Sequence, residues 1–212
     1  MTAQILLRSC LKVGHEHTIL VTAAAGGVGS LLCQWANALG ATVIGTVSNK
    51  DKALQAKEDG CHHVLIYNEE NIVDRVMDIT SRKGVDIVYD AIGKDTFDGN
   101  TFDLNPQYRD SVACLKFRGH MVAFGFASGS AEPVKFKVFS DKCLFFTIPS
   151  VFLYTKERNE LLAASEDLFS NVAKGVLRVR VNHKYPLSQV AQAHLDLEER
   201  KTTGSMVLIP DN

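Results

Sequence analysis

The chain has 212 residues, of which 23 are basic and 24 acidic, for a formal net charge of -1. That length accommodates one domain, or one plus a fragment, and buries enough surface for a core without disulfide or metal staples. The charge balance argues against a protein built mainly to hold nucleic acid, which would show a basic excess.

From Thr18 to about Pro149, short β-rich runs alternate with helical ones. The apolar runs are Thr18–Ala24, Thr42–Val47, His63–Tyr67, Val85–Ala91, His120–Phe126 and Cys143–Ile148. Several are apolar nearly throughout, as expected of strands covered on both faces of a parallel sheet. After the first run a helix starts at Gly27. Its Val28, Leu31, Leu32, Trp35, Ala36 and Leu39 form one broad stripe, and Gly40 stands where a C-cap belongs. Cys33 on that helix reads as packing. Segments near Lys50–Asp59, Glu69–Ser81 and Tyr108–Phe117 also read as helices. Gly99–Gln107 is turn-rich and reads as a surface insertion. Such alternation predicts an α/β fold with a doubly wound parallel sheet, Rossmann-like.

After Ser150 the rhythm changes. A helix over Glu157–Ala173 leads to an alternating strand, Leu177–Val181, with Arg178 and Arg180 on its opposite face. A helix over Ser188–Arg200, with His194 on its inner side, precedes a closing strand, Met206–Ile209.

The strongest chemical signal is Ala23-Ala24-Ala25-Gly26-Gly27-Val28-Gly29, between the first strand and the first helix. In the register of G-x-G-x-x-G, Ala24 replaces the first glycine, and Gly26 and Gly29 are the second and third. Gly26 would let the backbone approach a pyrophosphate, and Gly29 would let the helix pack closely on the sheet. The pyrophosphate would sit at the helix N-terminus, where free N–H groups favour an anion. The bland alternative is a tight turn with small residues for packing. The second strand ends in Ser48 and Asn49, followed by Lys50, Asp51 and Lys52. An NAD site would carry an acid there for the ribose hydroxyl. Two lysines at a helix start instead suggest the 2′-phosphate of NADPH, or else solvated cations softened by Asp51.

Five cysteines, at 10, 33, 61, 114 and 143, form no C-x-x-C pair and read as reduced thiols of a cytoplasmic protein. No charged-then-apolar leader opens the sequence. The most apolar stretch, Leu144 to Tyr154, is broken by Thr147, Pro149 and Ser150 and is too short to span a membrane. His15-Glu16-His17 lies in a loop, and His62 and His63 would point to opposite faces of a strand, so no metal site is expected. No nucleophile motif such as G-x-S-x-G is present.

Taken together, AAAGGVG at 23–29, GTV at 45–47, Ile87-Val88-Tyr89-Asp90, Phe124 to Gly129 and the closing KTTGSMVLIP from Lys201 resemble a known family. It is that of the zinc-free, zeta-crystallin-like quinone oxidoreductases of the medium-chain dehydrogenase/reductase superfamily. The resemblance implies NADPH as cofactor and hydride transfer to a quinone or related electron-poor substrate. It places Ala25, Gly26, Gly27, Val28 and Gly29 on the pyrophosphate, and Lys52 and Tyr67, with Ser48 assisting, on the 2′-phosphate. Gly93, Phe124, Gly125 and Ser128 would line the nicotinamide side. Tyr67, read without the resemblance, could equally be an edge tyrosine. The family's front, GroES-like catalytic domain has no counterpart here. Residues 1–17 are therefore expected to be its linking helix, 18–149 the dinucleotide-binding domain and 150–212 a C-terminal α+β remnant of the catalytic domain. The two tail strands would lose partners, and Phe152, Leu208 and Ile209 would be exposed. The expectation is then a homodimer formed through the tail, holding cofactor with weak or absent turnover. A non-catalytic cofactor-binding protein, crystallin-like or RNA-associated, and an enoyl or alkenal reductase are the alternatives.

Overall fold

Six apolar runs become strands: β1 (Thr18–Val21), β2 (Thr42–Val47), β3 (His63–Ile66), β4 (Val85–Asp90), β5 (Leu115–Ala123) and β6 (Phe145–Thr147). They pair in parallel in the order β3-β2-β1-β4-β5-β6. The structure is a computed structural model that describes residues 1–96, 111–129 and 137–211. Helices α2 (Gly27–Ala38), α3 (Lys50–Glu58) and α4 (Ile72–Ile79) connect the first four strands. They follow α1 (Thr2–Gln4), which continues into a π-helical turn over Ile5–Cys10.

The strand period of two sorts the core into two layers. Ile19 and Val21 face Leu32, Trp35 and Ala36 of α2 together with Leu6 and Leu7. Leu20, Ile44 and Val88 face the other way, onto Val76 of α4 and Leu115 and Met121. Helices therefore cover both faces of the sheet, which is why its strands are apolar almost end to end. Tyr89 is fully buried, and its hydroxyl donates to the Leu6 carbonyl at 3.0 Å, tying the N-terminal helix to the sheet centre.

Beyond the sheet come α5 (Lys137–Ser140), α6 (Val151–Tyr154), α7 (Arg158–Ala173), β7 (Val181–Pro186), α8 (Val190–Glu198) and β8 (Ser205–Ile209). The expected strand over Leu177–Val181 is displaced: β7 begins where that run ends. The reason is Gln34. Its side-chain amide takes the Arg178 N–H at 2.7 Å and donates to the Arg178 carbonyl at 3.2 Å, occupying groups that a neighbouring strand would need. The expected loss of strand partners is also corrected, since β7 and β8 pair with each other in parallel. The exposure of Phe152, Leu208 and Ile209 is observed.

Three smaller expectations shift. Val112, Cys114 and Leu115 do face the core, but residues 111–114 are turns and Leu115 opens β5, so Tyr108–Phe117 is not one helix. The insertion at Gly99–Gln107 lies outside the described residues. On α8 the buried residue is Ala193, and His194 is exposed. His62 precedes β3 and accepts the Val43 N–H on Nδ1, leaving His63 alone on the strand.

The tail is anchored by a buried carboxylate. Asp59, 1% exposed, pairs with Nε of Arg180 at 2.8 Å and accepts from Ser30 Oγ at 2.7 Å and Gln34 Nε2 at 3.0 Å. Removing one member of a buried pair strands the other charge. Arg180→Ala should therefore lower unfolding free energy by about 3 kcal/mol, the low end for such pairs because hydrogen bonds to Asp59 remain. Urea denaturation checks it, and Asp59→Asn added to Arg180→Ala should recover part of the loss.

Candidate nucleotide-binding cleft

At the end of β1 the chain must turn sharply into α2. Thr22 holds the turn to β4: its N–H donates to the Tyr89 carbonyl at 3.0 Å, and its hydroxyl accepts the Ala91 N–H at 3.0 Å. Ala24 donates to the Thr46 carbonyl on the other side, at 3.1 Å. Between them Ala23 takes φ +50°, a left-handed conformation unusual for alanine. The cost is offset by the Gly26 N–H, which closes the turn on the Ala23 carbonyl at 2.8 Å. A Cβ on Gly29 would lie 2.2 Å from that same carbonyl, so only glycine lets α2 start this close to the sheet. Gly26 is the N-cap of α2, and no side chain caps it. The caps of α3 and α4, by contrast, are filled by the amides of Asn49 and Asn71. The first turn of α2 thus presents its N–H dipoles beside an open cleft.

That cleft is a cavity of about 220 Å³ at the carboxyl ends of β1, β2 and β4, the topological switch point of the sheet. Ala25, Gly26, Ser48, Lys52 and Tyr67 line it together, with Thr22, Thr46 and Val47 as its floor. Lys50 is exposed and does not line it. Gly27, Val28 and Gly29 sit behind the lining, at the helix start.

The residues expected on the nicotinamide side form a second group. Asp90 is buried and organises it, accepting from the Ile92 N–H at 2.7 Å, the Gly93 N–H at 3.2 Å and Ser111 Oγ at 2.7 Å. Ser128 accepts the Asp95 N–H at 2.9 Å and donates to the Ile92 carbonyl at 2.8 Å. A Cβ on Gly93 would meet the Gly129 carbonyl at 2.5 Å, and one on Gly125 the Ala91 carbonyl at 2.7 Å. These glycines let the loops after β4 and β5 lie against each other, while Ile92, Asp95, Thr96, Ser111 and Ala127 line the cavity. Phe124 packs against the core.

The far wall comes from the tail, which inspection of the glycine motif did not reveal. Arg200, at φ +59° after α8, reaches over the cleft to pair with Asp95 at 2.7 Å. Asp95 holds the Arg200 guanidinium's pKa up, against the effect of burial, and Tyr67 adds to it. Lys52 Nζ donates to the Arg200 carbonyl at 2.5 Å. Burial, followed by the Arg200 charge, draws the Lys52 ammonium below its ordinary 10.5. Behind these, Gly204 donates to the Ala25 carbonyl at 2.8 Å, and Gln55 donates to the same oxygen at 3.0 Å. The signal for Arg200 was its position directly before the closing KTTG motif.

Open sheet order, an uncapped glycine turn at the switch point and cations facing it define a dinucleotide-binding α/β protein. The chain belongs to the zinc-binding dehydrogenase family, whose pattern matches residues 27–165. It is 44% identical over 213 residues to a quinone oxidoreductase of Salmonella typhimurium, covering 99% of this chain and 62% of that protein. It is 42% identical over 214 residues to a 2-haloacrylate reductase of Burkholderia sp, covering 99% of this chain and 60% of the relative. The crystal structure of Escherichia coli quinone oxidoreductase complexed with NADPH superposes with a TM-score of 0.89 at 42% identity, over 99% of this chain and 62% of that one. The chain thus spans about three-fifths of the length of these relatives. Among the described residues, no group of three or more His, Cys, Asp or Glu could hold a metal ion, so those residues do not fit a zinc site. Nor is any helix among them long and apolar enough to cross a membrane.

Gly29→Ala should be the most damaging single methyl in the cleft, because the obstacle is backbone rather than a movable side chain. The expected result is a loss of about 1–3 kcal/mol, the range for overpacking a tight site. Thermal unfolding beside Gly129→Ala, where a Cβ meets nothing within 4 Å, separates crowding from the strain of positive φ.

Proposed function

We propose that the chain binds NADPH and serves an oxidoreductase that passes hydride to a quinone or related electron-poor substrate. The observation that carries this reading is the cation cluster of Lys52 and Arg200 beside Tyr67, at the end of a second strand that carries Ser48 rather than an acid. A 2′-phosphate is the anion such a cluster suits, with the pyrophosphate on the uncapped start of α2 and the loops of Gly93, Gly125 and Ser128 beside the nicotinamide. The NADPH complex of the Escherichia coli relative supports the same reading. When bound, the cofactor supplies the hydride at its nicotinamide. The chain's own residues bind its phosphates, fix its orientation and wall it from one side.

A conjugated alkene is the second substrate class, favoured by the 2-haloacrylate reductase relative. Both substrates accept hydride at an electron-poor carbon and develop negative charge on oxygen, so one cofactor cleft can serve either. Phe126 and Ala127 are exposed at the nicotinamide side, so water reaches it in this chain taken alone, and hydride transfer benefits from enclosure. Steady-state oxidation of NADPH with a simple benzoquinone, and with 2-haloacrylate in parallel, tests the reading. The 212 residues alone should show quinone-dependent oxidation below the ordinary range of ~1–1000 per second. No quinone-dependent oxidation at all would leave a cofactor-binding protein, crystallin-like or RNA-associated.

Preference for NADPH over NADH should be roughly 10- to 150-fold, the ~1.5–3 kcal/mol of a charge-assisted hydrogen bond. Lys52→Glu should remove most of it while leaving NADH binding nearly unchanged, and equal affinities in the parent by calorimetry would refute the assignment. The pH dependence has a definite sign. Burial lowers the Lys52 pKa, so its charge is complete only below that lowered value, and a bound phosphate would raise it again. Affinity for NADPH should therefore fall as pH rises through the lowered value toward 10.5, with proton uptake on binding in that window. NADH should show no such fall.

We also place the protein in the cytoplasm, as a homodimer. β6 is an edge strand with Phe145, Phe146 and Ile148 exposed beside it, and Phe152 and Leu153 lie further along the same chain segment. An apolar open edge favours pairing with a second copy. Sedimentation at the mass of a single chain at micromolar concentration would exclude this.

A further inference from the structure

Two thiols that the nucleotide cleft does not use face each other inside the fold. Cys33 lies in the middle of α2, and Cys61 lies in the turn between α3 and β3. Their Sγ atoms are 3.3 Å apart. Both are buried, Cys33 at 0% and Cys61 at 5% exposure, and neither lines the cleft cavity.

Their surroundings hold them in place. Cys61 Sγ packs over Gly45 of β2, 2.7 Å from where a Cβ would stand, so the sulfur fills space that the glycine leaves. Cys33 packs in the core layer of Leu32, Trp35 and Ala36. A disulfide requires sulfurs about 2.05 Å apart, an approach of about 1.2 Å from their present contact. Gly60, directly before Cys61, is at φ +96° in the turn that connects a helix end to a strand start. Two small apolar fillers would not need sulfur at both positions.

We infer that Cys33 and Cys61 form a dithiol site that closes to a disulfide under two-electron oxidants of the peroxide class, joining α2 to the α3–β3 turn. Cys61, the less completely buried residue of the two, reacts first. Its sulfur attacks one peroxide oxygen, the O–O bond breaks, and a sulfenic acid and water result. The Cys33 sulfur then attacks the Cys61 sulfur, the S–O bond breaks, and the hydroxyl leaves as water with the Cys33 proton. Two thiols and one peroxide become one disulfide and two waters, with two electrons passing from sulfur to oxygen.

The location gives the bond a consequence. Asp59 precedes Cys61 by two positions, and Gln34, one of its hydrogen-bond donors, adjoins Cys33. The crosslink therefore lies alongside the carboxylate that anchors Arg180 and the tail. The oxidised chain should resist loosening of α2 from α3, and with it detachment of the cleft's far wall.

The test uses the whole chain under native conditions. Protein is exposed to near-stoichiometric hydrogen peroxide, blocked with N-ethylmaleimide and mapped by mass spectrometry without reduction. Circular dichroism confirms that it stays folded. The expected result is the loss of two hydrogens and a Cys33–Cys61 crosslinked peptide, reversed by dithiothreitol. The unfolding temperature should rise on oxidation in the parent and not in Cys61→Ala or Cys33→Ala. Cys10 is half-buried and Cys143 exposed, so both compete for oxidant and are counted separately. Recovery of Cys33 and Cys61 as maleimide adducts while Cys143 or Cys10 is oxidised would overturn the inference. So would a crosslink that forms only in guanidinium, or an equal temperature shift in parent and variants. The peptide map of the parent decides the matter even if a variant does not fold.

Discussion

The Asp59 carboxylate is the point on which the arrangement turns. It is buried and would be costly there alone, yet it collects Arg180 from the tail and Ser30 and Gln34 from α2. Buried charge is tolerated when it is paired and its remaining lone pairs are satisfied. Here those partners come from two distant stretches of chain, so satisfying one carboxylate also fixes where the tail lies. Gln34 extends the same network by holding both backbone groups of Arg178. From that anchor β7 runs forward to pair with β8, and β8 is preceded by the segment that walls the cleft.

The cleft shows the same economy. Its floor belongs to the sheet, but its positive charge is shared between Lys52 at the start of α3 and Arg200 after α8. Burial first, and then the neighbouring Arg200 charge, hold the Lys52 pKa below its ordinary value. Asp95 neutralises one of them from the opposite lip. A ligand phosphate would enter a site whose hydrogen-bond donors are already oriented, which is the condition for specificity at modest energetic cost.

Much of this was legible in the sequence because local pattern and global fold agree. The apolar runs at Thr42–Val47 and Val85–Ala91, and the stripe from Val28 to Leu39, could belong only to a sheet covered on both faces. Ser48 and Lys52 stood out at the end of the second strand, which lacks an acid, and Tyr67 came from the family resemblance; the structure brings all three to one cavity. What stayed hidden depended on long-range partners. Nothing local to Leu177–Val181 shows that Gln34 will take Arg178's backbone groups and delay the strand. Arg200 was read only as the end of a helix, and its place opposite Asp95 depends on how the tail docks. Exposure of His194 differs from expectation by a single residue of helical phase, which an amphipathic pattern as weak as that of α8 leaves open.

The bridge between Gly26 and Gly204 joins the glycine turn to the tail, two positions far apart in the sequence. Contacts between such distant positions form late, because a long loop must close before they contribute. The turn at Gly26 is held by its neighbours in sequence, whereas the wall beside it is held by a contact far away along the chain, so the pocket is complete only when both stretches are in place together. A ligand that touches both would bind the closed arrangement better than an open one and would stabilise it by mass action.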